Sequence, residues 1–247
     1  MSVDLLVQHP IYKHLLKFSS STDAREKILR LLQYFVRFLR FWKFRSTLSP
    51  ELVALLPSLQ NFFTMARKPL RVLKPLNNLK ALSICISDEL SDPVLRYSEA
   101  IKQFGLLLFF GLDLIQLPKM LGLLGGKGVN ENLAKYKVIK NANKYAAAMW
   151  CLSIFAGITK NLRQFQMVIV RYLNEKNMNK SESEINQEGK PHSLAVNKIQ
   201  RDFVKNILDM VIASNMYGNF GINDGIIGGF GVITSILGLQ DLWNTSV

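Results

Sequence analysis

Residues 23–45, DAREKILRLLQYFVRFLRFWKFR, have the period of an α-helix with two dissimilar faces. At about 100° per residue, Ile28, Leu31, Leu32, Phe35, Val36, Leu39 and Trp42 gather on one side. Arg30, Arg37 and Arg40 lie opposite, with Lys27 and Arg45 beside them and Arg25 and Lys43 bordering the apolar stripe. Asp23 reads as the N-cap, with Glu26 three residues later reaching back in a capping box. Aromatic and aliphatic groups on one face and cations on the other suit a helix lying among phospholipid headgroups. The same pattern also describes a core helix with a solvated cationic back.

Charge points to the same end of the chain. Of the +13 net charge of the 247 residues, +10 belongs to residues 1–80, so an anionic partner is expected to dock there. Lipid headgroups and nucleic-acid phosphates are the two candidates. Continuous apolar faces favour lipid, because nucleic-acid stacking platforms place isolated aromatics in a polar groove. The mean hydropathy of +0.13 is high for a soluble chain. Cys85 and Cys151 sit in hydrophobic contexts without a disulfide pattern, which fits a reducing compartment. The opening MSVDLLVQHPIYKH lacks a basic n-region and a sustained apolar h-region, so insertion from the cytosolic side is expected.

Outward from residues 23–45 the chain reads as all-α, a membrane-associated bundle of amphipathic and apolar helices ending in a glycine-rich membrane helix. Ser49-Pro50-Glu51 starts a helix that Pro57 should kink or end. Residues 64–86, TMARKPLRVLKPLNNLKALSICI, carry a second basic amphipathic pattern interrupted by Pro69 and Pro75. Asp92-Pro93 opens a long helix containing the apolar run 104–117, closed by the turn LGLLGGKG at 121–128. A fourth region, about 133–173, contains the apolar run 145–158. Residues 174–198 are polar and read as a disordered linker in which Ser181 and Ser183 are candidate phosphorylation sites. The organisation is thus 1–90 basic and membrane-remodelling, 91–173 apolar and helical, 174–198 linker, and 199–247 C-terminal helices, all within one domain.

The C-terminal run GIIGGFGVITSILGL (225–239) has the best transmembrane chemistry, with a membrane segment expected over about 219–240. Gly221, Gly225 and Gly229 recur every four residues and would place small groups on one face for close helix contact. Core packing is preferred for the runs 104–117 and 145–158. Asp113, an acid inside an apolar run, would face a partner or a water-filled path if buried, which makes it a pore candidate. Three scattered histidines and two cysteines supply no metal site, and no P-loop, GxSxG or dinucleotide fingerprint is present. Neither catalysis nor a cofactor is expected.

REKILRLLQYFVRFLRF (25–41) resembles the N-terminal signature of the peroxisomal membrane-elongation factors, the peroxin-eleven family. GVITSILGLQDLW (231–243) looks like that family's closing signature, and RKPLRVLKPLNNLKAL (67–82) is similar to its membrane-remodelling amphipathic helix. The resemblance implies a peroxisomal membrane protein that tubulates the organelle before fission, self-associates and engages division machinery of the dynamin class. Carried onto this chain, it implies that Arg67, Lys68, Arg71, Lys74 and Lys80 contact anionic headgroups while Leu70, Leu73, Leu76 and Leu79 wedge among acyl chains. Arg30, Arg37, Arg40, Phe35, Leu39 and Trp42 would form a second basic amphipathic surface. A metabolite pore is the family's other described role, and nucleic acid is not an expected partner.

Overall fold

A computed structural model describes residues 7–41, 49–89, 91–120, 141–177, 182–218 and 220–246. Among them are eight α-helices and no strand: α1 Pro10–Ser20, α2 Thr22–Phe41, α3 Pro50–Arg67, α4 Lys74–Ser87, α5 Pro93–Met120, α6 Ala142–Asn177, α7 Glu182–Gly218 and α8 Asp224–Ser246. A single 3-10 turn, Pro69–Arg71, joins α3 to α4. The turn at 121–128, residues 133–140, and the side chains of Trp42, Lys43 and Arg45 lie outside the described residues.

Local chemistry explains most of the helix starts. Ser49 accepts from the Leu52 N–H at 3.4 Å, with Pro50 as the first helical residue of α3. Asp92 Oδ1 accepts from the N–H groups of Val94 and Leu95 at the start of α5. At α2 the capping group is Ser21, whose hydroxyl accepts from Ala24 N at 3.5 Å, two residues before the position assigned to Asp23. Glu26 does not turn back to the helix start; its carboxylate is committed elsewhere. Pro57 does not end α3, whereas Pro69 and Pro75 do break the 64–86 pattern into the end of α3, the turn and α4. Pro75 sits in the first turn of α4, where no backbone donor is required. The polar stretch 174–198, expected as a linker, is helical from Glu182 onward as the first turns of α7.

The helices pack as α2 along α8, α3 on α2, α4 on α5, α5 against α6, α6 against α7, and α7 on α8. The apolar core is small, centred on Tyr34, Ile212 and Ile227 with Trp150, Val211 and Phe230 around it. Much of the interior is polar instead. Glu26, Arg30, Arg67, Lys68, Asp113, Gln116, Thr234 and Ser235 are all buried. Large apolar side chains on α1, α2, α4 and α5 point outward, among them Leu15, Phe35, Leu73, Leu76, Ile84 and Ile101. Polar inside and apolar outside is the partition of a protein whose solvent is lipid.

Among the described residues two helices have the length and composition for a bilayer: α5 over Pro93–Pro118, mean hydropathy 1.5, and α8 over Asp224–Ser246, mean hydropathy 1.4. Core packing was the expectation for the run 104–117, yet only 17% of the apolar window of α5 is buried. The run 145–158 lies within α6, which does not meet the same criterion.

Candidate functional site: an inward cationic clasp beneath an outward leucine face

The turn between α3 and α4 is held down by its own cations. Arg67 donates through Nε and Nη2 to Glu26 Oε1 at 2.9 and 2.6 Å, and its Nη1 reaches Gln33. Arg71 approaches the same oxygen at 2.9 and 2.6 Å and also donates to Asp113 Oδ2 at 3.1 Å. Lys68 donates to Asp113 Oδ1 at 2.5 Å and Gln116 Oε1 at 3.0 Å. Lys74 lies 3.0 Å from Asp23 and 3.6 Å from Glu26. Three acids, Asp23 and Glu26 on α2 and Asp113 on α5, therefore gather four bases from an eight-residue stretch.

Burial and charge oppose each other at this cluster. Glu26 is 2% exposed, and desolvation alone would push its carboxyl up. Arg71 and Arg67 outweigh that cost and hold it well below its ordinary value. Burial and the neighbouring Arg30 pull the Lys27 ammonium down to about 7.

This arrangement corrects the expected headgroup contacts. Arg67, Lys68, Arg71 and Lys74 face the protein interior, and only Lys80 of that set is exposed. The apolar residues of the same segment do face outward: Leu73, Leu76 and Leu79 are 66%, 63% and 51% exposed, and Leu70 is half-buried. Val72, Ile84 and Ile86 extend that surface.

The helix α2 is inverted in the same sense. Arg30 pairs with Asp209 at 2.5 Å and with Thr234 at 3.1 Å, and Arg37 pairs with Asp224, so two of the three cations expected to face outward dock onto α7 and α8. Arg40 lies over the Phe41 ring, Phe35 is exposed and Leu39 half-buried; Trp42 falls outside the described residues.

The seam between α2 and α8 runs on glycine, and of the set the four-residue spacing suggested Gly225 belongs to it while Gly221 and Gly229 do not. A Cβ on Gly228 would lie 2.6 Å from the Phe38 backbone nitrogen, and one on Gly231 would lie 2.1 Å from the Tyr34 ring. Gly225 is close to Phe41 and Gly238 to Lys27. Gly229 makes only ordinary contact, and Gly221 precedes the helix at φ +70°, where its missing side chain permits the turn. The close-packed face is thus Gly225, Gly228, Gly231 and Gly238, interleaved with the buried Thr234 and Ser235.

A polar cavity of about 600 Å³ lies inside the clasp, lined among others by Lys27, Arg30, Asp113, Asn206 and Lys102. Asp113, the pore candidate, does border this cavity, but it is paired with Lys68 and Arg71. Among the described residues no group of three or more metal-binding side chains exists. Cys85 and Cys151 are free, and desolvation pushes both thiols up, away from reactivity. Sequence reasoning missed Glu26, Asp209 and Asp224 as anchors. The available signal was their scarcity, 18 acids against 31 bases.

Polar-inside helices, an inverted basic segment and two bilayer-length apolar helices define a helical membrane protein built to sit against lipid. The chain matches the family described as Peroxisomal biogenesis factor 11 (PEX11) over residues 12–243, and it belongs to that family. It is 36% identical over 98% of its length to the peroxisomal membrane protein PMP30B of Candida boidinii, covering 97% of that protein, and 37% identical to PMP30A of the same yeast with the same coverage. It is 30% identical to the peroxisomal membrane protein PMP27 of Saccharomyces cerevisiae, over the whole of both chains. No solved structure matches. The chain is accordingly a peroxisomal membrane protein, a biogenesis factor and not an enzyme.

Proposed function

We propose that this protein elongates the peroxisomal membrane by lodging the outer face of the turn and α4 in one leaflet, ahead of organelle fission. The observation that carries the reading is the exposure of Leu73, Leu76 and Leu79 directly over a segment whose cations are spent on Glu26 and Asp113. Apolar side chains inserted on one side of a bilayer expand that leaflet and curve it. The clasp serves this role by fixing the wedge rigidly to the bundle, so that α5 and α8 hold it at a set depth. Lys80, exposed beside the leucines, suits an anionic headgroup. Copies of the chain associating with one another would extend the curvature into a tubule, on which division machinery of the dynamin class acts.

Full-length protein reconstituted into vesicles of phosphatidylcholine and phosphatidylserine tests this by electron microscopy. Wild type draws tubules, and Leu73→Ser/Leu76→Ser/Leu79→Ser incorporates equally but leaves the vesicles round. Equal tubulation by both proteins would sink the proposal. Tubule severing by a purified dynamin-class GTPase, compared on vesicles with and without the protein, tests the partner.

One observation favours a second role as a solute pore: the polar cavity bordered by Asp113, walled by α2, the α3–α4 turn, α5, α6 and α7. Flux of a small carboxylate through reconstituted protein, lost on Asp113→Leu with tubulation retained, would establish it; no flux in wild type would remove it.

A further inference from the structure

A second cleft, of about 1020 Å³, lies between the first turns of α5, the C-terminal half of α6 and α7. Its lining carries Lys102, Lys160, Arg163, Arg171, Lys198 and Lys205 against one acid, Asp202. Acids behind the wall answer part of this charge: Glu99 with Lys160 at 2.7 Å, Asp92 with Arg163 at 2.7 Å, and Asp241 with Lys205 at 3.0 Å. Lys198 has no carboxylate partner among the described residues, so the lining keeps an unanswered positive charge there.

An independent observation points into the same space. Asn161, 6% exposed, lines the cleft with its side-chain Nδ2 giving its hydrogens to nothing. Buried amide donors are rarely left unused. A donor without an acceptor, in a cleft with surplus positive charge, calls for an anion with several acceptor oxygens. The volume exceeds what a bare oxyanion needs and matches a ligand with a body. Leu95, Met167, Val168 and Ile199 supply an apolar wall for that body.

The position fits an amphiphile. Leu95 stands at the beginning of α5, and Lys205 in the cleft wall is paired to Asp241 near the end of α8, so the cleft opens where both candidate spans terminate. That is the level at which lipid headgroups lie.

We propose that this cleft is a binding site for a phosphate-bearing amphiphile, its phosphate held by Lys198 and Asn161 and its apolar portion by the α6–α7 wall. It is separate from the leucine face of α4 and does not depend on that face bending membranes. A membrane phospholipid and a soluble phosphate compound both carry that group, and the test separates the two.

The experiment uses full-length protein in phosphatidylcholine nanodiscs, titrated with dioleoyl phosphatidic acid and read by native mass spectrometry, with inorganic phosphate as a competitor. Saturable one-to-one retention of phosphatidic acid is expected, weakened roughly tenfold or more by Lys198→Glu and by Asn161→Leu, the loss of charge-assisted hydrogen bonds. Lys198→Arg should retain it, and Lys80→Glu on the α4 face should not change it. Competition by inorganic phosphate identifies a site that takes the phosphate group itself; absence of competition identifies one that requires the lipid chain. Circular dichroism confirms that each variant keeps its helicity, and the Lys198 pair carries the test if Asn161→Leu does not. Non-saturable retention, retention unchanged by Lys198→Glu, or equal loss in Lys80→Glu would overturn the assignment.

Discussion

Arg71 meets Glu26 with two nitrogens, Nε at 2.9 Å and Nη2 at 2.6 Å, both on the same carboxylate oxygen that Arg67 also contacts. One acid on α2 therefore anchors two arginines of the α3–α4 turn.

Removing that acid leaves two buried guanidinium groups with half their partners gone. Glu26→Gln should lower stability by about 3–5 kcal/mol, the usual cost of breaking a buried ion pair from one side. Thermal unfolding in detergent measures it. Glu26→Leu/Arg67→Met/Arg71→Met should recover much of the loss, since an apolar replacement leaves no stranded charge. An unchanged melting temperature in Glu26→Gln would mean that the clasp does not hold the turn.

The same carboxylate sets an acid limit. Its folded pKa lies well below the ordinary 4.5, so its contribution is fully present above about that pH and is lost as pH falls toward the folded value. Melting temperatures from pH 7 down to pH 3 should fall more steeply for wild type than for Glu26→Gln, so that the gap between the two curves narrows below pH 4.5.

Lys27 has the opposite sign. Its folded pKa, about 7, lies below the ordinary 10.5, so the unfolded chain binds the extra proton between those values and stability rises with pH across that window. Lys27→Met should be more stable than wild type at pH 7, with the difference closing as pH approaches 10.5. A difference that stays constant with pH would refute the assignment.

On α8, neighbouring glycines should behave differently. Gly228→Ala forces a methyl group against the Phe38 backbone and should cost about 1–3 kcal/mol, whereas Gly229→Ala meets only ordinary contacts and should be near neutral. Gly231→Ala strikes the Tyr34 ring, and Tyr34→Ala should partly relieve it. Equal effects at 228 and 229 would show that α2 does not approach α8 along this seam.

Sequence alone disclosed the helical class, the helix starts at Ser49-Pro50 and Asp92-Pro93, and the family through segments near both ends of the chain. It did not disclose which way the amphipathic helices face. A basic-apolar helix has the same periodicity whether its cations meet headgroups or buried acids, and the choice is made by partners far along the chain. Arg30 finds Asp209 and Arg37 finds Asp224, neither of which is periodic with α2. Glu26 has the spacing of a capping box, so a local role concealed its long-range one. For the glycines, a regular four-residue spacing selected Gly221 and Gly229, while the crossing of α2 over α8 selects Gly228 and Gly231.

The seam between α2 and α8 also dictates an order of assembly. These helices lie at opposite ends of the chain, so their contact has a very large sequence separation and cannot form early in synthesis. Until the final 23-residue helix has left the ribosome, Arg30 lacks Thr234, Arg37 lacks Asp224, and Tyr34 has no glycine groove to enter. Before α8 is made, the face of α2 that it will cover stays open to its surroundings, and uncovered apolar surface of that kind is prone to aggregate.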